Sequence, residues 1–422
     1  MTCSTWLDPS SADVVRRLRS WRTSRVTGQP AEFPYEVVTQ HVQRTGKHHL
    51  AAPLIEELDR TRQFCRAGGG VRLRFLDCLL DKHDGTYRYA TYLSLPVLRG
   101  LVDGPDAVLS ARDLAGLLIA DVMRFELEAL HGRHDLLPHG RPPLRTVKKR
   151  LHHGLGHLDR HSDRVPAARH LDPAAPEQAD ELLASLPVSP CPLVRERLAM
   201  TVHPVHVLHD EYLFIRVLQS YETIFTGLVG SAGHALTGLR AADAGATCAH
   251  LDDAATALER AGLLFTLLAT MDPDAFRHFR DFTEGASAIQ SEHYKRFELT
   301  CGTPRDERLM SPAFGNVPDV LDQARRGPDT ITRAYLDARR DRRFGTGEQL
   351  AVDAGLTRLE RAHQRWKSTH HSLATRMLGD ATGSGYTAGV PYLKDCLDNR
   401  LFWGLGVDLT VTAAEVSGAH VA

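Results

Sequence analysis

Leu359-Glu-Arg-Ala-His363-Gln-Arg-Trp366-Lys-Ser-Thr-His370-His-Ser-Leu373-Ala-Thr-Arg376-Met377-Leu-Gly379 decides the fold class. Leu359, His363, Trp366, His370, Leu373 and Met377 recur every three or four positions and share one helical face. The spacing predicts a helix over 348–378 that Gly379 stops. The same period extends outward. Ser110 precedes a stripe of Leu114, Leu117, Leu118, Met123, Phe125 and Leu130, and Gly132 follows, which predicts a helix over 111–131. Leu213, Phe214, Val217, Leu218, Tyr221, Ile224, Phe225 and Leu228 predict another over 210–228, and 251–271 repeats the pattern. Asp272-Pro273 reads as an N-cap with a first-turn proline, opening a helix that reaches about 283. Alternating strand patterns are absent, so the predicted fold class is all-α.

Two stretches break the period. Nine prolines between 133 and 195 predict an irregular insertion with at most short helices, and 379–391 is a glycine-rich loop. The chain has 422 residues, enough for two or three domains or one large one with insertions. Its 51 basic and 52 acidic side chains leave a net charge of -1, which removes the electrostatic case for a nucleic-acid partner. No run of 18 apolar residues spans a membrane, and no apolar leader precedes a cleavage site. The seven cysteines are scattered without C-x-x-C spacing. The expectation is a cytoplasmic protein with reduced thiols, no structural zinc and no covalently attached haem. The 23 histidines are the first hint of chemistry.

Several groups invite a functional reading. His152, His157 and His161 recur at near-helical spacing, but among glycines and prolines they read as solvated surface ahead of a metal site. His203, His206 and His209 precede Asp210-Glu211, where acidic side chains at a helix start read as capping. His370 sits mid-stripe: it is either a core histidine bonded to a carbonyl or a metal ligand. Arg280 shares a short segment with Phe276, Phe279 and Phe282. A buried guanidinium demands an anion, either a structural carboxylate or a substrate carboxylate held bidentately.

Four segments, in order along the chain, resemble the tryptophan 2,3-dioxygenase family within the haem-dependent aromatic oxygenases. They are Tyr89-Ala-Thr-Tyr92-Leu93; His209-Asp-Glu-Tyr-Leu-Phe-Ile215; Phe279-Arg280 through Ser287, Gln290-Ser291, Tyr294 and Glu298; and Trp366-x3-His370-x5-Arg376-x2-Gly379-x3-Gly383-Ser384-Gly385-x3-Gly389. The likeness covers roughly 85–98 and 200–405. It implies a helical bundle of that type: an extension over 1–84, a substrate-covering segment over 85–100, an insertion over 101–199 and a haem-binding catalytic domain over 200–422.

The resemblance further implies haem b with His370 as the iron ligand, and Trp366, Arg376, Gly383 and Gly385 on the cofactor side. Arg280 falls at the family's carboxylate clamp, and Ser384 where a threonine helps hold the substrate's ammonium and carboxylate. Phe214 and Phe276 fall at ring-walling positions and Ser287 at another pocket position. Tyr89 and Tyr92 match a segment that, in the family, reaches into a neighbouring subunit, implying a homo-oligomer (dimer or tetramer). Leu218 is the main departure: it stands where the dioxygenases carry a distal histidine facing the indole N–H. The expected activity is therefore oxygenation of tryptophan or a related aromatic amino acid by O2 or H2O2. Ring monooxygenation in secondary metabolism ranks ahead of cleavage to N-formylkynurenine, and a non-catalytic haem sensor comes last.

Overall fold

The computed structural model describes residues 9–28, 31–86, 88–104, 107–159, 165–379 and 389–406. Every regular element among them is helical, apart from one isolated bridge between His139 and Leu208. No single helix among them is long and apolar enough to cross a membrane, and their six cysteines are free thiols. The chain divides into two compact units: Met1–Ser220 with Leu267–Ser287, and Tyr221–Thr266 with Ala288–Ala422. Residues 200–220 and 267–287, expected in one domain with the rest of 200–422, thus group with the first unit.

In the first unit, helices Pro9–Val26, Tyr35–Thr45, Ala52–Cys65 and Gly70–Leu80 share a core around Leu18, Trp21, Val42, Leu58 and Phe75. Ala111–Leu130 begins as its sequence predicts: the Asp113 N–H donates to Ser110 Oγ at 3.1 Å. The reading of 133–195 as largely irregular is corrected. A 15-residue helix, Leu144–Leu158, buries Val147, Leu151, Leu155 and Leu158 and packs on Ala111–Leu130. The prolines open helices here. Pro143 is an N-cap, while Pro176 and Pro192 sit in the first turns of Pro176–Ser185 and Pro192–Ala199, where a missing N–H costs nothing. Gly154 lies where a Cβ would collide with Met123, so glycine lets the helix pair approach.

His209–Ala241 begins in the first unit and ends in the second, running past the predicted end at 228 because Ala232, Ala235 and Leu239 continue its buried face. Ala244–Leu268 follows after Ala242 turns through φ +56°. A Cβ on Gly238 would lie 2.7 Å from Thr247 Oγ1, so that turn closes tightly only with glycine. The long helix Thr346–Leu378 starts with Glu348 accepting the Gly345 N–H at 2.9 Å and stops at Gly379, φ +56°.

One polar group is buried at the heart of the first unit. Arg150 donates to Glu126 at 2.7 Å, to Asp210 at 2.5 Å and to Thr270 Oγ1 at 3.1 Å. The second oxygen of Asp210 accepts the Asp272 N–H at 2.8 Å. Burial opposes the guanidinium charge, but Glu126 and Asp210 hold its pKa above the usual value. Removing one member of such a group leaves uncompensated buried charge. Arg150→Leu is expected to destabilise the protein by about 3–5 kcal/mol, read as a lowered urea midpoint at unchanged slope.

Candidate active site

His370 lies on the Thr346–Leu378 helix with its ring stacked on Phe265, centroids 5.6 Å apart and planes 13° apart. Trp366, one turn earlier, is 5.7 Å away and itself touches Tyr221, Phe225, Phe265 and Tyr294. Burial, with His371 beside it, pushes the His370 imidazole down to about 4. It is uncharged at neutral pH, the state in which a ring nitrogen can bind a metal. Among the described residues neither of its ring nitrogens has a hydrogen-bond partner. His363 is the contrast. It is fully buried on the same helix and hydrogen-bonds the Tyr294 hydroxyl at 2.8 Å. His363 spends Nε2 on that bond while its Nδ1 is buried without a hydrogen-bond partner, and the carbonyl partner considered for His370 is not found among the described residues.

Two polar atoms of this aromatic wall, Trp366 Nε1 and the Tyr221 hydroxyl, are buried without a partner. Such atoms are rare in a finished core and mark a place for a missing group. Among the described residues no cluster of three or more His, Cys, Asp or Glu side chains could hold a bare metal ion. A lone imidazole on an aromatic wall suits instead an iron already bound by a macrocycle, so the residues present fit haem. Arg376 is exposed on the last turn of the helix, and Gly383, Ser384 and Gly385 lie outside the described residues.

The residues expected on the substrate side, Ser384 apart, fall in the first unit. Asp272 caps Pro273–Asp281 through the N–H groups of Asp274 and Ala275, at 2.9 and 2.8 Å. That helix carries Phe276, Phe279 and Arg280. Phe279 is buried, while Phe276 and Arg280 are half-buried. Phe214 meets Phe276 at 5.5 Å and Phe279 at 5.4 Å, giving a three-ring wall. Phe282 meets His48, His206 and His278 and, like Phe214, packs against the apolar cluster that holds Tyr89 and Tyr92. Burial pulls the Arg280 pKa down, with Asp281 opposing; an anion arriving here would relieve that cost. Leu218 and Phe214 border the same apolar cluster as Tyr89, Tyr92, Leu93 and Ala286, the neighbour of half-buried Ser287.

Asp210 and Glu211 do not act as surface capping charges. Both are buried: Asp210 belongs to the Arg150 group, and Glu211 accepts the N–H groups of Val205 and His206 at 2.6 and 2.9 Å and the Tyr92 hydroxyl at 3.1 Å. Burial outweighs those donors and pushes Glu211 up to about 8. His203 is buried against Ser94, while His209 lies 3.3 Å from Glu126. His152 is exposed and His157 buried, so they share no stripe, and His161 lies outside the described residues. The sequence does not single out Gln219 and marks Tyr221 only as part of the apolar stripe; both lie beside Leu218 in an apolar run. Only the burial of their polar ends sets them apart.

No family model matches the chain. It is 27% identical over 244 residues to the tryptophan 2,3-dioxygenase of Anaeromyxobacter sp. (strain K), covering 50% of this chain and 90% of that protein. The enzyme of the same name from Anaeromyxobacter dehalogenans (strain 2CP-C) is 26% identical with the same coverage. That from Polaromonas naphthalenivorans (strain CJ2) is 27% identical over 245 residues, covering 49% and 86%. Over about half of its length this chain is a divergent relative of the tryptophan 2,3-dioxygenases.

Proposed function

We propose that this chain is a haem-dependent oxygenase acting on tryptophan or a related aromatic amino acid, adding one oxygen atom to the ring. The observation that carries the reading is the neutral, unpartnered imidazole of His370 on its aromatic wall, four residues after Trp366. His370 would hold the iron, with Trp366, Arg376, Gly383 and Gly385 on the cofactor side. When bound, haem would supply redox-active iron able to activate peroxide, whose other oxygen leaves as water, or O2 together with a two-electron donor.

The chain's own residues bind and orient. Arg280 takes the substrate carboxylate through two parallel N–H donors, and the Ser384 hydroxyl takes the ammonium. Phe214 and Phe276 wall the aromatic ring and exclude water; Tyr89, Tyr92 and Ser287 complete the enclosure. Leu218 offers neither donor nor acceptor, so it holds the ring by shape and leaves an indole N–H without a base. That absence favours ring monooxygenation over a path needing a distal proton acceptor. Ring cleavage to an N-formylkynurenine-type product is the second reading, favoured by the name the relatives carry. A haem sensor without turnover is a third, and it leaves the pairing of Arg280 with Ser384 without a purpose.

Three measurements test this. His370→Ala protein, folded and mixed with haem, is expected to show no Soret band; an intact band overturns the ligand assignment. Arg280→Leu is expected to raise the apparent substrate constant at least about tenfold, ~1.4 kcal/mol or more, with a smaller change in kcat. The turnover product is expected to gain about 16 mass units, one oxygen; a gain of about 32 selects ring cleavage.

A further inference from the structure

A cleft of about 310 Å³, open to solvent, lies in the second unit, and none of the aromatic residues around His370 lines it. Its volume is at the small end of the range for ligand sites, which suits a compact molecule. One wall is the end of the helix Glu292–Cys301 with the turn that leads to Arg308; the other is the stretch 399–403. Several bonds fix these walls. Trp403 Nε1 donates to the Thr303 carbonyl at 2.8 Å, and the Phe402 N–H donates to Glu360 at 2.9 Å. The Lys367 ammonium donates to the Cys396 and Leu397 carbonyls at 2.9 and 3.2 Å, and to that of Asn399. A Cβ on Gly302 would lie 2.7 Å from the Leu401 carbonyl oxygen, so glycine lets the two walls meet.

Three arginines and one carboxylate line the cleft: Arg305, Arg308, Arg400 and Glu298. Glu298 is spent on Arg308, whose Nη2 donates to its two oxygens at 3.2 and 2.8 Å. Arg308 is 8% exposed, and its Nε is buried without a hydrogen-bond partner. Arg305 lies over the Trp403 ring, 5.3 Å from the centroid. Neither Arg305 nor Arg400 has an ion-pair partner among the described residues. A guanidinium cannot shed its charge. Two uncompensated positive charges therefore border one small cleft, where low-dielectric walls focus their field.

We propose that this cleft is an oxyanion-binding site, taking a carboxylate or phosphate group on the planar donors of Arg305 and Arg400. The guanidinium fork matches either group. The Arg308–Glu298 pair keeps the one lining carboxylate from repelling the guest. The site stands apart from the reading of His370 and Arg280 and needs neither haem nor an aromatic amino acid.

The test is calorimetric titration of the full-length protein with inorganic phosphate and, separately, with succinate, at an ionic strength held constant with chloride. At least one is expected to bind saturably with a dissociation constant of about a millimolar or tighter. The tighter of the two names the group as phosphate or carboxylate. Arg305 and Arg400 are exposed, so replacing both with Gln is expected to leave the thermal midpoint of the ligand-free protein unchanged. The same double substitution is expected to weaken binding at least about tenfold. Arg280→Leu is expected to leave binding as it was. Absence of saturable binding above the chloride background, binding that survives the double substitution, or binding lost with Arg280→Leu would each overturn the proposal.

Discussion

Two consecutive carboxylates, Asp210 and Glu211, are buried at the start of one helix, and much of the first unit is organised around satisfying them. Buried charges must be paired and buried carboxylates must find donors. Asp210 meets both needs through Arg150 and the Asp272 N–H, and in doing so fixes where the Phe276–Arg280 helix begins. Glu211 draws in the turn at Val205–His206 and the Tyr92 hydroxyl. With those bonds made, the rotation of the His209–Ala241 helix is set. Phe214 and Leu218 then border the apolar cluster, and Gln219 reaches the backbone of the covering segment.

The histidines show how burial sorts one residue type into different roles. His363 and His203 are fully buried, and each spends one ring nitrogen on a hydroxyl partner while the other is buried without one. His370 stands between Phe265 and Trp366 with its basicity suppressed and its nitrogens unspent. The Trp366 and Tyr221 polar atoms left without partners beside it point to a group of some size.

Leu218 and Gln219 are neighbours on one helix in different company. Leu218 packs against the apolar cluster that holds Tyr89 and Tyr92, while Gln219 donates to the Leu93 and Thr201 carbonyls.

Helices with full-sized apolar stripes were legible in the chain, as were the caps at Ser110 and Asp272, because stripe and cap are local patterns of period and hydrogen bonding. The helix 144–158 was not. Its prolines and glycines read as breakers, and only packing on Ala111–Leu130 shows that Gly154 is required for close approach. The continuation to Ala241 was hidden likewise, since buried alanines and glycines carry little periodic signal. His370 and Arg280 could be singled out from sequence as side chains that must be paired if buried, each with two open readings. Tertiary structure removed the carbonyl partner of His370 from among the described residues. Sequence by itself determined that the chain is helical and which residues carry reactive groups. Which of those groups are satisfied by the fold, and which are left for a ligand, depends on partners up to a hundred or more positions away, and only folding brings those within hydrogen-bonding reach.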